Sequence, residues 1–146
     1  MDDAFLVNCA RAVLAGCGAE EWHLWSGESW YQVQPPDKRP PVQGWKLHLS
    51  ATPLSAPLVL AEAIAVLVQH RCPFKFAGTL RRVAELGSRQ CDRGAGGKFL
   101  TAYPDQGGDA VRALAADLHR VTEGLPGPAI LSVRPYRPAS YAFPSA

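Results

Sequence analysis

An α/β (α+β) fold in a single domain, a mixed β-sheet covered by helices, is what this sequence predicts, on three observations. Short aromatic and β-branched runs alternate with longer apolar segments, and Gly, Pro and Ser clusters separate them. The longest apolar stretch, Leu58 to Val68, is long enough for a buried helix and interrupted by Glu62, so it is too short for a bilayer. A chain of 146 residues with 47% hydrophobic content can bury one continuous core but leaves little for a second.

The elements follow in order. Asp2 or Asp3 can cap a first helix from Ala4 to Cys17, in which Leu6, Cys9, Val13 and Cys17 recur near helical spacing. Trp22 to Trp25 and Ser29 to Val33 read as two strands around the turn Ser26-Gly27-Glu28, an N-terminal hairpin. Pro35, Pro36, Pro40 and Pro41 make residues 35–43 an exposed connector inside the domain, because too little chain precedes them for a separate unit. A strand from Trp45 to Leu49 and an apolar helix ending near His70 come next, then a strand from Pro73 to Ala77 and a short helix from Thr79 to Leu86. Lys98 to Tyr103 reads as a further strand. Asp109 can cap a helix through Val121 with Val111, Leu114, Leu118 and Val121 on one face, and Ala129 to Val133 supplies a last strand.

Composition excludes several classes of function. The formal charge of +2 is too slight to argue for nucleic acid, yet Arg71, Lys75, Arg81, Arg82, Arg89, Arg93 and Lys98 crowd one segment against only Glu85 and Asp92. That segment lacks the interleaved aromatics of a base-stacking surface, so the expectation is a local anion site, with no nucleic acid and no membrane. Cys9, Cys17, Cys72 and Cys91 are too far apart for zinc or redox motifs and read as reduced core thiols. The acidic N-terminus does not resemble a signal peptide, and a cytoplasmic location is expected. No metal and no cofactor are expected.

The candidates for chemistry are basic. Lys46 and His48, two positions apart on a strand, leave one face while Leu47 and Leu49 enter the other. The bland alternative is two solvated side chains on an edge strand. Lys75 lies between Phe74 and Phe76, so a lysine projects opposite two core aromatics. Burial and nearby cations both disfavour an ammonium, which is how lysine becomes a base near neutral pH. A snorkelling lysine is the competing reading. Arg93, followed by Gly94-Ala95-Gly96-Gly97 and Lys98, places a bidentate phosphate donor beside a loop that a ligand can approach closely, or else a solvated turn. It is no Walker loop, since Asp92 and Phe99 stand where glycine and a hydroxyl residue are required. Tyr103 either meets a phosphate or packs under Pro104. His23, His70 and His119 have structural readings, and no Gly-x-Ser-x-Gly elbow offers a serine nucleophile.

The ordered set Trp45-Lys46-Leu47-His48-Leu49-Ser50, Phe74-Lys75-Phe76, Arg93-Gly94, Gly97-Lys98-Phe99 and Tyr103-Pro104 resembles the phosphothreonine lyases. That family includes bacterial effectors acting on phosphorylated kinases and the N-terminal lyase domain of class III and class IV lanthipeptide synthetases. Lys46-Leu47-His48-Leu49-Ser50-Ala51-Thr52-Pro53 and Gly97-Lys98-Phe99-Leu100-Thr101-Ala102-Tyr103-Pro104 look closer to the synthetase branch, and the likeness runs from Trp45 to Leu131. The resemblance implies that residues 1–146 form a phosphoserine/phosphothreonine lyase-like domain, in which Lys75 removes the Cα proton and His48 protonates the departing phosphate. Lys46, Arg93, Lys98 and Tyr103 would hold the phosphate or polarise the neighbouring carbonyl.

The pattern departs at the end. Where the synthetase branch has a closing strand with another phosphate-binding arginine, this chain reads Tyr141-Ala142-Phe143-Pro144, which leaves Arg134 and Arg137 as substitutes and suggests a truncated C-terminal end. The implied reaction is β-elimination from a phosphorylated leader-core precursor peptide, giving dehydroalanine or dehydrobutyrine in lanthipeptide biosynthesis, with kinase and cyclase domains as partners on the same or another chain. The alternative is a non-catalytic phosphopeptide or leader-peptide binding module.

Overall fold

The computed structural model describes residues 4–39, 44–88, 98–105, 107–126 and 144–145. Helix α1 spans Phe5–Gly16, and Leu6, Ala10 and Leu14 on its inner stripe are buried. Cys9 is only half-buried and Cys17 lies exposed past the helix end, so of the described cysteines Cys72 alone is a core thiol. Gly18, at φ +74, takes the left-handed turn that releases the chain towards strands β1 (His23–Ser26) and β2 (Trp30–Gln34). These form the expected hairpin.

The predicted strand after Gly44 divides at Lys46 into β3 (Gly44–Trp45) and β4 (Leu47–Leu49). Helix α2 (Ala56–Gln69) follows, with Pro57 in the first turn where its missing N–H leaves nothing unpaired. Then come β5 (Phe74–Ala77), α3 (Leu80–Leu86), β6 (Leu100–Ala102), α4 (Gly108–Thr122) and β7 (Pro144–Ser145). The Thr79 hydroxyl caps α3 by accepting from the Arg82 N–H at 3.0 Å. Helix α4 is capped otherwise than the sequence suggests: Gly107, at φ +140, is the boundary residue, and Asp109 sits in the first turn paired with Arg112 at 2.8 Å. The expected strand Ala129–Val133 lies outside the described residues.

The main sheet has the order β1-β2-β5-β6-β4. Every pairing among the described strands is antiparallel, so the chain takes the α+β form of the expected class. Register sorts the side chains into rows. Val33, Phe74, Ala102 and Leu47 form one row, and Tyr31, Phe76, Leu100 and Leu49 another. Both rows share one core with Leu60, Ala63, Ile64 and Leu67 of α2, which α1 and α4 flank. One face of the sheet is therefore closed by helices.

The connector is fastened where it begins, contrary to a wholly exposed segment. Pro35 is buried, Asp37 pairs with Arg71, and Lys38 pairs with Asp105 at 2.9 Å. His70 does more than complement the α2 terminus, for its Nε2 meets Asp117 Oδ2 of α4 at 2.7 Å. A separate short ladder joins β3 to β7 and sets Trp45 opposite Pro144.

Candidate active site

The rows of the other face are polar. His48 stands opposite Thr101 and Thr101 opposite Lys75, and the same row continues through Gln32 to Trp25. Residues directly opposed across antiparallel strands lean from the same face. The alternation that buries Leu47, Leu49, Phe74 and Phe76 thus forces His48 and Lys75 outward from strands separated by β6 alone. With strands ~4.8 Å apart, the two side chains rise ~10 Å from one another with Thr101 between them.

Each of these groups is held. His48 Nδ1 lies 2.9 Å from the Thr101 hydroxyl, itself buried, which fixes the ring and directs Nε2 away from β6. A hydroxyl is both donor and acceptor, so this contact suits either protonation state of the imidazole. The Lys75 ammonium lies over the Trp30 ring at 4.7 Å from its centroid, and the Lys46 ammonium stands 5.9 Å from that of Tyr103.

The electrostatics follow from crowding. Burial, then Lys98, Lys46 and Lys75, push His48 down to about 4, leaving its imidazole neutral near pH 7. Burial, followed by Lys46 and Lys98, lowers Lys75 below the ordinary lysine range. Burial raises the Tyr103 phenol, which therefore stays protonated as a donor. Three lysines around one neutral imidazole are an arrangement that would attract an anion and that includes one weakened ammonium beside a titratable ring.

The structure thus brings Lys46, His48, Lys75, Lys98 and Tyr103 into one electrostatic cluster. Arg93, Arg134 and Arg137 lie outside the described residues. Thr101, Trp30 and Gln32 were not singled out from sequence. The alternation of Leu100 and Ala102 with Thr101 and Tyr103 marks which face Thr101 takes, but only the strand register sets it beside His48. Among the described residues, no three His, Cys, Asp or Glu side chains gather as metal ligands do, and no helix is long and apolar enough to cross a membrane.

Comparison with known proteins points the same way as the motifs. The family model described as RamC, N-terminal domain, matches residues 10–143. A probable SapB synthase of Streptomyces coelicolor is 34% identical over 113 residues, covering 77% of this chain and 12% of that protein. The chain thus spans only a small part of the length of that relative. Among solved structures, the type III effector/phosphothreonine lyase OspF from Shigella flexneri superposes with a TM-score of 0.56 at 16% identity, over 84% of this chain and 67% of that one. A second structure, titled as an insight into the enzymatic mechanism of the phosphothreonine lyase, gives a TM-score of 0.52 at 10% identity, over 97% and 84% of the two chains. At those identities the likeness is one of fold.

Proposed function

Since the chain belongs to the RamC N-terminal domain family, we propose that it is a carbon-oxygen lyase removing phosphate from phosphoserine or phosphothreonine of a precursor peptide in lanthipeptide biosynthesis. The observation that carries this reading is the row Lys75, Thr101, His48. It offers a base and an acid on one face, far enough apart to take a phosphorylated side chain between them.

In the proposed reaction the Lys75 amine takes the Cα proton, and the C–H electron pair becomes the second bond between Cα and Cβ. The Cβ–O bond breaks, and phosphate leaves with the electron pair of the Cβ–O bond and accepts a proton from His48. A Cα proton is only weakly acidic, so the carbonyl beside it must be stabilised as enolate charge develops. In this reading Lys46 and the protonated Tyr103 phenol, which lie side by side, supply that stabilisation. Lys98, together with Arg93, would neutralise the leaving phosphate.

The depressed His48 pKa fits this cycle. Burial first, then the cations Lys98, Lys46 and Lys75, hold His48 down in the unliganded domain, and in this reading an arriving phosphate dianion offsets those cations so that the imidazole can take up a proton with the substrate in place. The product dehydroalanine or dehydrobutyrine is lighter by one water than the never-phosphorylated peptide, whereas a phosphatase restores the hydroxyl. Mass spectrometry of a phosphopeptide incubated with the domain distinguishes the two. Recovery of free serine or threonine would overturn the proposal, and binding without product would favour a phosphopeptide-binding module. Residues 1–146 are read as one such domain working with kinase and cyclase domains of a synthetase.

A further inference from the structure

Elimination imposes a direction on the substrate. The base must meet the Cα hydrogen, which belongs to the peptide backbone, and the acid must meet the phosphate, at the tip of the side chain. With Lys75 on β5 and His48 on β4, the phosphorylated side chain points across β6 towards β4. The peptide backbone then lies on the Lys75 side, and the residues flanking the phosphoresidue extend over β2 and β1.

That half of the face has the surface such a peptide requires. Gln32 stands opposite Lys75 in the register, where its amide offers both a donor and an acceptor to a passing peptide group. Trp25 stands opposite Gln32 on the same face and is 43% exposed, one of four large hydrophobic side chains left open to solvent among the described residues. Trp30, which carries the Lys75 ammonium, adds a second indole beside Gln32 on this half of the face, and its other side lines a separate cavity of about 240 Å³ between the β1–β2 turn and α3.

We infer that Gln32, Trp30 and Trp25 form a subsite for the peptide flanking the phosphoresidue, and that Trp25 selects an apolar side chain there. This rests on the elimination proposed above. Trp25 lies two strands beyond Lys75, about 10 Å away at ordinary strand spacing. An extended peptide covers that distance in about three residues. The chain therefore reads its substrate several positions away from the reacting residue, on an indole face that an aliphatic side chain can cover.

The test compares two short phosphoserine peptides, one with alanine throughout its flanks and one with leucine about three residues to either side of the phosphoserine. The wild-type domain should show kcat/KM about tenfold higher for the leucine peptide, the scale of a largely buried aliphatic side chain. In Trp25→Ala and Trp25→Thr the ratio should fall to about one, and in Trp25→Phe it should persist. Because the ratio is taken within each variant, a general loss of folded protein does not move it. A wild-type domain indifferent to leucine, or a preference undiminished in Trp25→Ala and Trp25→Thr, would overturn the inference. Kd values for the same peptides, by fluorescence anisotropy, give the same ratio whether or not product forms. Absence of product alone therefore counts against the lyase reading and leaves the subsite to be judged on binding.

Discussion

Lys75 is subject to opposing influences. Burial and the charges of Lys46 and Lys98 favour its neutral amine, while the Trp30 ring favours the ammonium. The net lowering is in the direction that the proposed role of base requires. Lys75→Ala should therefore lower turnover by roughly 10²–10⁴-fold, the usual range for a lost general base, while phosphopeptide affinity stays within a few fold. Single-turnover rates and equilibrium binding of the same phosphopeptide separate those quantities, and turnover near wild type would remove Lys75 from the role of base. His48 makes a second, thermodynamic prediction. Its pKa is about 4 in the folded domain against an ordinary 6.5, so between those values the unfolded chain binds the extra proton. Stability should fall as pH drops from about 6.5 to about 4, and His48→Asn should flatten that dependence. Thermal melts at pH 7 and pH 5 check the sign, and equal slopes for both proteins would show that His48 is not held neutral. The phosphopeptide should instead draw a proton into the wild-type site, visible as binding heat that varies with the ionisation enthalpy of the buffer.

At the scale of elements, the sequence is most readable where burial alone decides. The α2 run and the alternation in β4 and β5 appear as written, because apolar periodicity determines which face is hidden. Leu67 in α2 is fully buried, and Leu67→Ala should cost ~2–5 kcal/mol by denaturant unfolding. The α2–α4 pair of His70 and Asp117 is different in kind. Both partners remain partly exposed, so Asp117→Asn should cost no more than ~1 kcal/mol. The hydrogen bond from His70 holds Asp117 below the ordinary carboxylate range, so its stabilisation is present near neutral pH and is lost on acidification through that lowered value. A cost comparable to that of Leu67→Ala would mean that the pair organises the helix packing. What the sequence conceals is pairing between distant segments. Nothing local says that β6 lies between β4 and β5, so Thr101 could be assigned to a face but not set against His48. End effects were similarly hidden: Gly107 rather than Asp109 is the boundary residue before α4, and Cys17 falls just beyond the α1 stripe.

Across the whole molecule, the fold sets a cost against its own site. The helices close one face of the sheet, and the other face gathers Lys46, Lys75 and Lys98 around a half-buried imidazole. Like charges held together repel in the folded domain and separate in the unfolded chain, so the unliganded site stores unfavourable energy that an anion relieves. Lys98 lies close enough to be the largest charge acting on His48 and also acts on Lys75. Lys98→Gln should therefore raise the melting temperature of the unliganded domain, by roughly 1–3 °C if the relief is about 0.5–1 kcal/mol. Added inorganic phosphate should stabilise the wild-type domain by mass action, approaching ~2.7 kcal/mol at one hundred times its dissociation constant, and the gain should shrink at high salt. In Lys98→Gln the same phosphate concentration should give a smaller gain. Melting curves of both proteins across a phosphate titration, with chloride matched for ionic strength, report the two effects together. A lower melting point for unliganded Lys98→Gln with an undiminished phosphate response would show that Lys98 serves the fold rather than the anion site. The opposite pair of signs is what a surface assembled to hold a phosphate, at the expense of its own empty state, requires.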